Sequence, residues 1–165
     1  MTYDSLLDVF IEDIKSYLKE NINKLLEEYE LDKVTVSDAY AYKKQPTPPE
    51  ISVLSIDYYE NEDSNTYDEG EVLSNIALQF YCYGNEMKIK DSDKRYDPIQ
   101  VTRILADYIT KSMKKNVIGT KNKNIISVRK TTQSNAMQVR DMSLYYNVLR
   151  YEFVITNDYK KVYRK

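Results

Sequence analysis

The chain has no histidine among its 165 residues, and this absence removes more function classes than any residue present adds. Ser-His-Asp and Cys-His nucleophile systems, histidine-metal nucleases and the usual zinc sites all depend on imidazole. The lone cysteine, Cys82, cannot replace it and has no partner for an intramolecular disulfide. With no Asn-x-Ser/Thr sequon present, that points to a reducing cytoplasm. Only three glycines occur, Gly70, Gly84 and Gly119, so neither a phosphate-cradling loop nor a dinucleotide-binding fingerprint can be written. No apolar run approaches bilayer length. The first residues carry Asp4 and Asp8 instead of a basic region followed by an apolar stretch, so no secretory leader is expected.

What is present is divided by charge. Residues 1 to 75 hold 18 acids against 6 bases, a net of −12, and residues 76 to 165 hold 8 against 18, a net of +10. Opposite blocks on one small protein suggest copies arranged head to tail, because complementary potentials steer encounter and fix register. The length fits one domain spanning 1–165, with a core large enough to need no disulfide or metal.

Leu7, Phe10, Ile14, Leu18, Ile22, Leu25 and Tyr29 recur at spacings of three and four, predicting an amphipathic helix over 4–30, roughly 40 Å long. The β-branched and aromatic run 34–42 and the segment 51–59 read as strands separated by Pro46, Pro48 and Pro49. An acidic, polar stretch between Glu60 and Glu71 predicts an exposed loop, so that 51–59 and a strand near 72–83 form a hairpin with a long tip. Asp97-Pro98 supplies a helix cap and a first-turn proline. Ile99, Thr102, Ala106, Ile109 and Met113 then trace a second helix, expected to end near Asn116. A strand around 124–131 and a long one from Ser143 to Thr156 complete an α+β order with a mostly antiparallel sheet of about five strands. In the last strand the apolar residues shift from even positions (Leu144, Tyr146, Val148) to odd ones (Leu149, Tyr151, Phe153, Ile155). That predicts a bulge near Asn147 to Leu149.

No catalytic, cofactor-binding or metal-ligating motif accompanies these elements, and a non-enzymatic protein without cofactor is the expectation. Seventeen tyrosines suit base stacking in principle. Without a basic groove around the tyrosine-rich strands, sheet packing and subunit contacts explain them better. The acidic stretch from Asp57 to Glu71 lacks the alternating ligands and central glycine of an EF-hand, and reads as a solvated loop. The PxxP spacing at Pro46-Thr47-Pro48-Pro49 reads as a stiff connector to an edge strand ahead of an SH3 ligand. The basic residues suit phosphates or an acidic protein surface equally well.

The order helix, three strands, helix, strand is also the core of magnesium nucleases with a PD-(D/E)xK motif. Glu86-Met87-Lys88 matches its second half and Asp57 is a candidate for the first. Hairpin pairing of the second and third strands would hold Asp57 and Glu86 on the order of 25 to 30 Å apart, too far for two ligands of one ion.

The long helix from Leu7 to Tyr29, the Pro-rich entry to a strand at Pro46 to Val53, the hairpin ending Phe80-Tyr81-Cys82-Tyr83, the Asp97-Pro98 capped helix and the aromatic final strand from Tyr145 to Phe153 together resemble a phage tail terminator. The resemblance covers most of the chain and is one of element order, size and texture, so no single residue is carried over from the family. The Lys, Asn, Ile and Tyr richness also resembles proteins of AT-rich Gram-positive bacteria, their phages and phage-derived contractile particles. The resemblance implies a ring, usually a hexamer, that caps the head-proximal end of a tail tube and ends polymerisation. Its partners would be further copies of itself, the tube protein, the sheath where the tail contracts, and a head or collar connector. It would assemble in the host cytoplasm and stay in the particle, with no membrane and no specific nucleic-acid partner. Alternatives are another neck or tail component, the magnesium nuclease, or a nucleic-acid-binding accessory protein. Candidate contacts with neighbours, tube or sheath are the acidic Asp57, Glu60, Glu62, Asp63, Asp68 and Glu69. The basic candidates are Lys111, Lys114, Lys115, Lys121, Lys123, Arg129, Lys130 and Arg164.

Overall fold

The computed structural model describes residues 5–38, 46–61, 73–139 and 143–156. The first helix, α1 (Leu6–Tyr29), is started by Ser5, whose hydroxyl accepts the Asp8 N–H at 3.1 Å. It stops at Glu30, which turns left-handed at φ 55°. Its buried stripe of Leu6, Phe10, Ile14, Leu18 and Leu25 follows the expected three-and-four spacing.

Two long strands, β2 (Glu50–Asn61) and β3 (Leu73–Gly84), form the expected antiparallel hairpin, with a register shift between Ser55 and Asp57. A short strand, β1 (Thr35–Asp38), pairs with β2 in parallel, so the sheet is mostly but not wholly antiparallel. Positions 39–42 of the predicted first strand lie outside the described residues. A two-residue pair, β4 (Met87–Lys88) with β5 (Arg95–Tyr96), forms a small ribbon that the sequence reading missed.

Helix α2 (Pro98–Ser112) begins with a complete capping box, the Asp97 carboxylate accepting from Gln100 N–H and the Gln100 side chain accepting from Asp97 N–H. It ends before Asn116. The chain breaks at Lys114 and restarts as a separate helix, α3 (Lys115–Lys121), which packs its one buried residue, Ile118. Strands β6 (Ile125–Gln133), β7 (Met137–Gln138) and β8 (Tyr145–Thr156) complete the chain, with main-sheet order β1-β2-β3-β8-β6 and β7 continuing along the same edge of β8.

All three helices lie on one face of the sheet. Inward residues Ile51, Val53, Ile76, Leu78, Phe80, Cys82, Leu149, Tyr151, Phe153 and Ile155 meet the helix stripes in one core. Phe10 meets Phe153 edge to face at 5.1 Å, and Tyr108 of α2 donates its hydroxyl proton to the Leu18 carbonyl of α1 at 2.6 Å.

The bulge expected at Asn147 to Leu149 is absent. β8 pairs with β3 without interruption from Tyr145 to Thr156, and its odd positions from Asn147 to Ile155 are all buried. The irregularities fall on its other neighbour, where β6 shifts register between Ile125 and Ser127 and between Lys130 and Thr132. The apolar phase change has another cause: Tyr146 and Val148 join an aromatic patch on the face away from the helices.

Candidate functional site

The face of the sheet opposite the helices is uncovered among the described residues. Alternation along the strands places Asp57 and Tyr59 of β2, Gln79, Tyr81 and Tyr83 of β3, Tyr146, Val148, Arg150 and Glu152 of β8, and Arg129 of β6 on it. Tyr81 and Tyr83 stack at 6.2 Å with ring planes 13° apart, and Tyr146 sits 5.6 Å from Tyr83 and 6.4 Å from Tyr81. Tyr81 donates its hydroxyl proton to Gln79 Oε1 at 2.8 Å. Burial, helped by Tyr81, Glu50 and Tyr146, pushes the Tyr83 hydroxyl up to about 12.

Beside this cluster a groove of about 420 Å³ opens where β6 gives way to β7. Tyr81, Tyr146, Val148 and Met137 supply its apolar surface and Gln79 and Ser134 polar groups, and no lining residue is charged. In a chain with 30% charged residues that neutrality marks the groove out. Sequence reasoning missed it. The signal was the apolar pair Tyr146 and Val148, out of phase with the core residues that follow.

The predicted contact residues fall in three groups. Asp57 is exposed on β2 and has no ion pair among the described residues; Glu60 lies in β2 as well. Glu62, Asp63, Asp68, Glu69 and Arg164 lie outside the described residues. The basic set gathers at the opposite edge of the sheet. Lys111 ends α2, Lys114 and Lys115 open α3, Lys121 closes it and Lys123 follows in the turn before β6.

Part of this charge is already matched within the molecule. Lys111 Nζ lies 2.8 Å from Asp107, which holds the Lys111 proton more tightly than usual. Arg129 Nη2 donates to Glu152 at 2.6 Å. Lys130 donates to Thr110 at 3.3 Å and to Gln133. Asp13 and Glu20 of α1 line one cleft with Lys121 and Lys123, and Glu27, Glu30 and Asp32 line another with Lys90. Lys114, Lys115, Lys121 and Lys123 make no ion pair among the described residues.

The nuclease geometry fails on pairing. Asp57 is opposite Ala77, and Glu86 lies nine residues beyond it, past the far end of β3, about 30 Å away. Glu86 instead pairs with Arg95 at 3.2 Å. Among the described residues no three His, Cys, Asp or Glu side chains gather in a way that could hold a metal ion. Cys82 is fully buried, and burial pushes its thiol far above the ordinary range, so it behaves as a small apolar residue. No helix among the described residues is long and apolar enough to cross a membrane. No protein-family model matches this chain, and no curated protein matches it in sequence.

Proposed function

We propose that this chain is a structural, non-enzymatic assembly protein that closes into a ring at the head-proximal end of a phage-type tail tube and ends its polymerisation. One observation carries the reading. The sheet is covered by helices on one face only, and its two flanks differ in charge. Asp57 and the start of the acidic segment belong to β2, one strand in from one edge, whereas Lys115 and Lys121 of α3, which make no ion pair among the described residues, sit over β6, the other edge. A closed ring needs such unlike flanks, because each copy presents one patch to a different patch on the next.

The number six, the tube and sheath partners, and the path from host cytoplasm to finished particle all come from the resemblance to tail terminators. The fold is compatible with that family's element order. Light scattering across a salt series is the test. The reading expects a closed oligomer that dissociates as salt rises, and that is lost in Lys121→Glu/Lys123→Glu. Magnesium-dependent DNA cleavage abolished by Glu86→Ala would overturn it.

A further inference from the structure

The large hydrophobic side chains exposed among the described residues are Tyr58, Tyr59 and Met137, and two of them lie on the bare face of the sheet at opposite flanks. Tyr59, 55% exposed, stands on β2; Met137, 40% exposed, rims the uncharged groove at the β7–β8 flank. One is a projecting aromatic and the other borders a shallow, open groove. Because they occupy different flanks, a copy cannot satisfy its own groove with its own Tyr59. A second copy can.

Charge around the two features is complementary. Asp57 is two residues from Tyr59 on the same face of β2 and exposes a carboxylate with no ion pair among the described residues. On the other flank Arg150 is two residues from Val148 on the same face of β8. Its guanidinium is poorly served. Nη2 reaches Glu152 only at 3.8 Å, Glu152 is already held by Arg129 at 2.6 Å, and the buried Nε meets no acceptor among the described residues. Residues i and i+2 of a strand are about 6.6 Å apart. A carboxylate and an aromatic ring at that spacing therefore face a guanidinium and a groove at the same spacing.

We propose that Tyr59 of one copy seats beside Val148 of the next, in the groove that Met137 rims, with Asp57 meeting Arg150. This rests on the self-assembly reading above and names its contact. The contact is heterologous, with knob and hole on different surfaces, so it propagates head to tail until the rotation closes. The neutral groove makes it favourable, since seating the ring desolvates no charge, while the carboxylate and guanidinium set register.

The experiment uses Tyr59→Ser and Met137→Asp in the full chain, with thermal melting to confirm that each folds like the parent. Both sites are exposed, so folding should be unaffected. Each variant alone is expected to sediment as a monomer, its self-association weakened about thirtyfold or more. Mixed one to one, the two should form heterodimers that grow no further, because one intact knob and one intact groove remain. Variants that assemble like the parent, or a mixture that does not dimerise, overturn the contact while self-assembly stands. A parent chain that stays monomeric at its highest soluble concentration overturns both.

Discussion

A β-carbon placed on Gly84 would stand 2.6 Å from the carbonyl oxygen of Pro98. The same atom would lie 2.8 Å from the Thr102 amide nitrogen and 2.9 Å from Val101 Cβ. The end of β3 and the first turn of α2 thus touch backbone to backbone, and only a residue without a side chain fits between them. Gly84→Ala should force the two elements apart and cost about 2 kcal/mol or more. A urea melt with an unchanged midpoint would contradict this.

Phe10 and Phe153 are both fully buried and meet edge to face, tying α1 to the middle of the sheet. Truncating either ring leaves a cavity at the junction of helix and strand. Phe10→Ala should cost about 3 to 5 kcal/mol and Phe10→Leu clearly less. Chemical denaturation of the two variants side by side provides the check, and equal losses would show that the junction collapses around the smaller residue.

Asn147 is the polar exception in the inward row of β8. It is 3% exposed, donates from Nδ2 to the Thr102 carbonyl at 3.3 Å, and its Oδ1 meets no donor among the described residues. An amide that makes one long bond contributes little stability. Asn147→Leu should therefore be neutral or stabilising, within about 1 kcal/mol, whereas Asn147→Asp places a charge in the core and should cost about 3 kcal/mol at neutral pH. Recovery of part of that loss on acidification would identify the buried charge as the cause.

Alkaline pH should unfold the protein within a defined window. Burial pushes Tyr83 and Tyr108 up to about 12 from an ordinary 10.0, with Tyr81 adding to the first and Tyr17 to the second, against a lowering hydrogen bond from Ser112. The unfolded chain releases these protons first, so their stabilisation is complete below pH 10 and is lost as pH rises toward 12. With no histidine in the chain, stability should be nearly flat from about pH 6 to 8, and the buried Cys82 thiol, raised from an ordinary 9.0, starts the alkaline fall ahead of the tyrosines. Denaturant melts across the range test both parts, and Tyr83→Phe should soften the alkaline fall.

Legibility in the sequence followed the strength of the local signal. α1 and the start of α2 were plain because an unbroken three-and-four stripe and the Asp97-Pro98 pair each admit one reading. The restart at Lys114 was not, because neither proline nor glycine marks it and lysines suit a continuing helix. β8 shows the deeper difficulty. Its alternation changed phase at Asn147, and one strand alone does not reveal whether the strand bends or whether its other face is also apolar. Only the neighbouring Tyr81 and Tyr83 decide between these. Charge was legible as a count, but not as pairing: Lys111 with Asp107 and Arg129 with Glu152 are matched within the molecule, which no tally by halves discloses.

The position of β8 has a consequence for synthesis. It is the last strand described, yet it lies between β3 and β6, so those two never touch and the sheet is joined only through it. While the ribosome is still making the chain, β3 must wait with one edge unpaired and the Phe153 contact of α1 missing. Folding of the sheet is thus deferred until β8 has been made, and premature termination anywhere before Tyr145 leaves a fragment with no central strand and an open edge for aggregation.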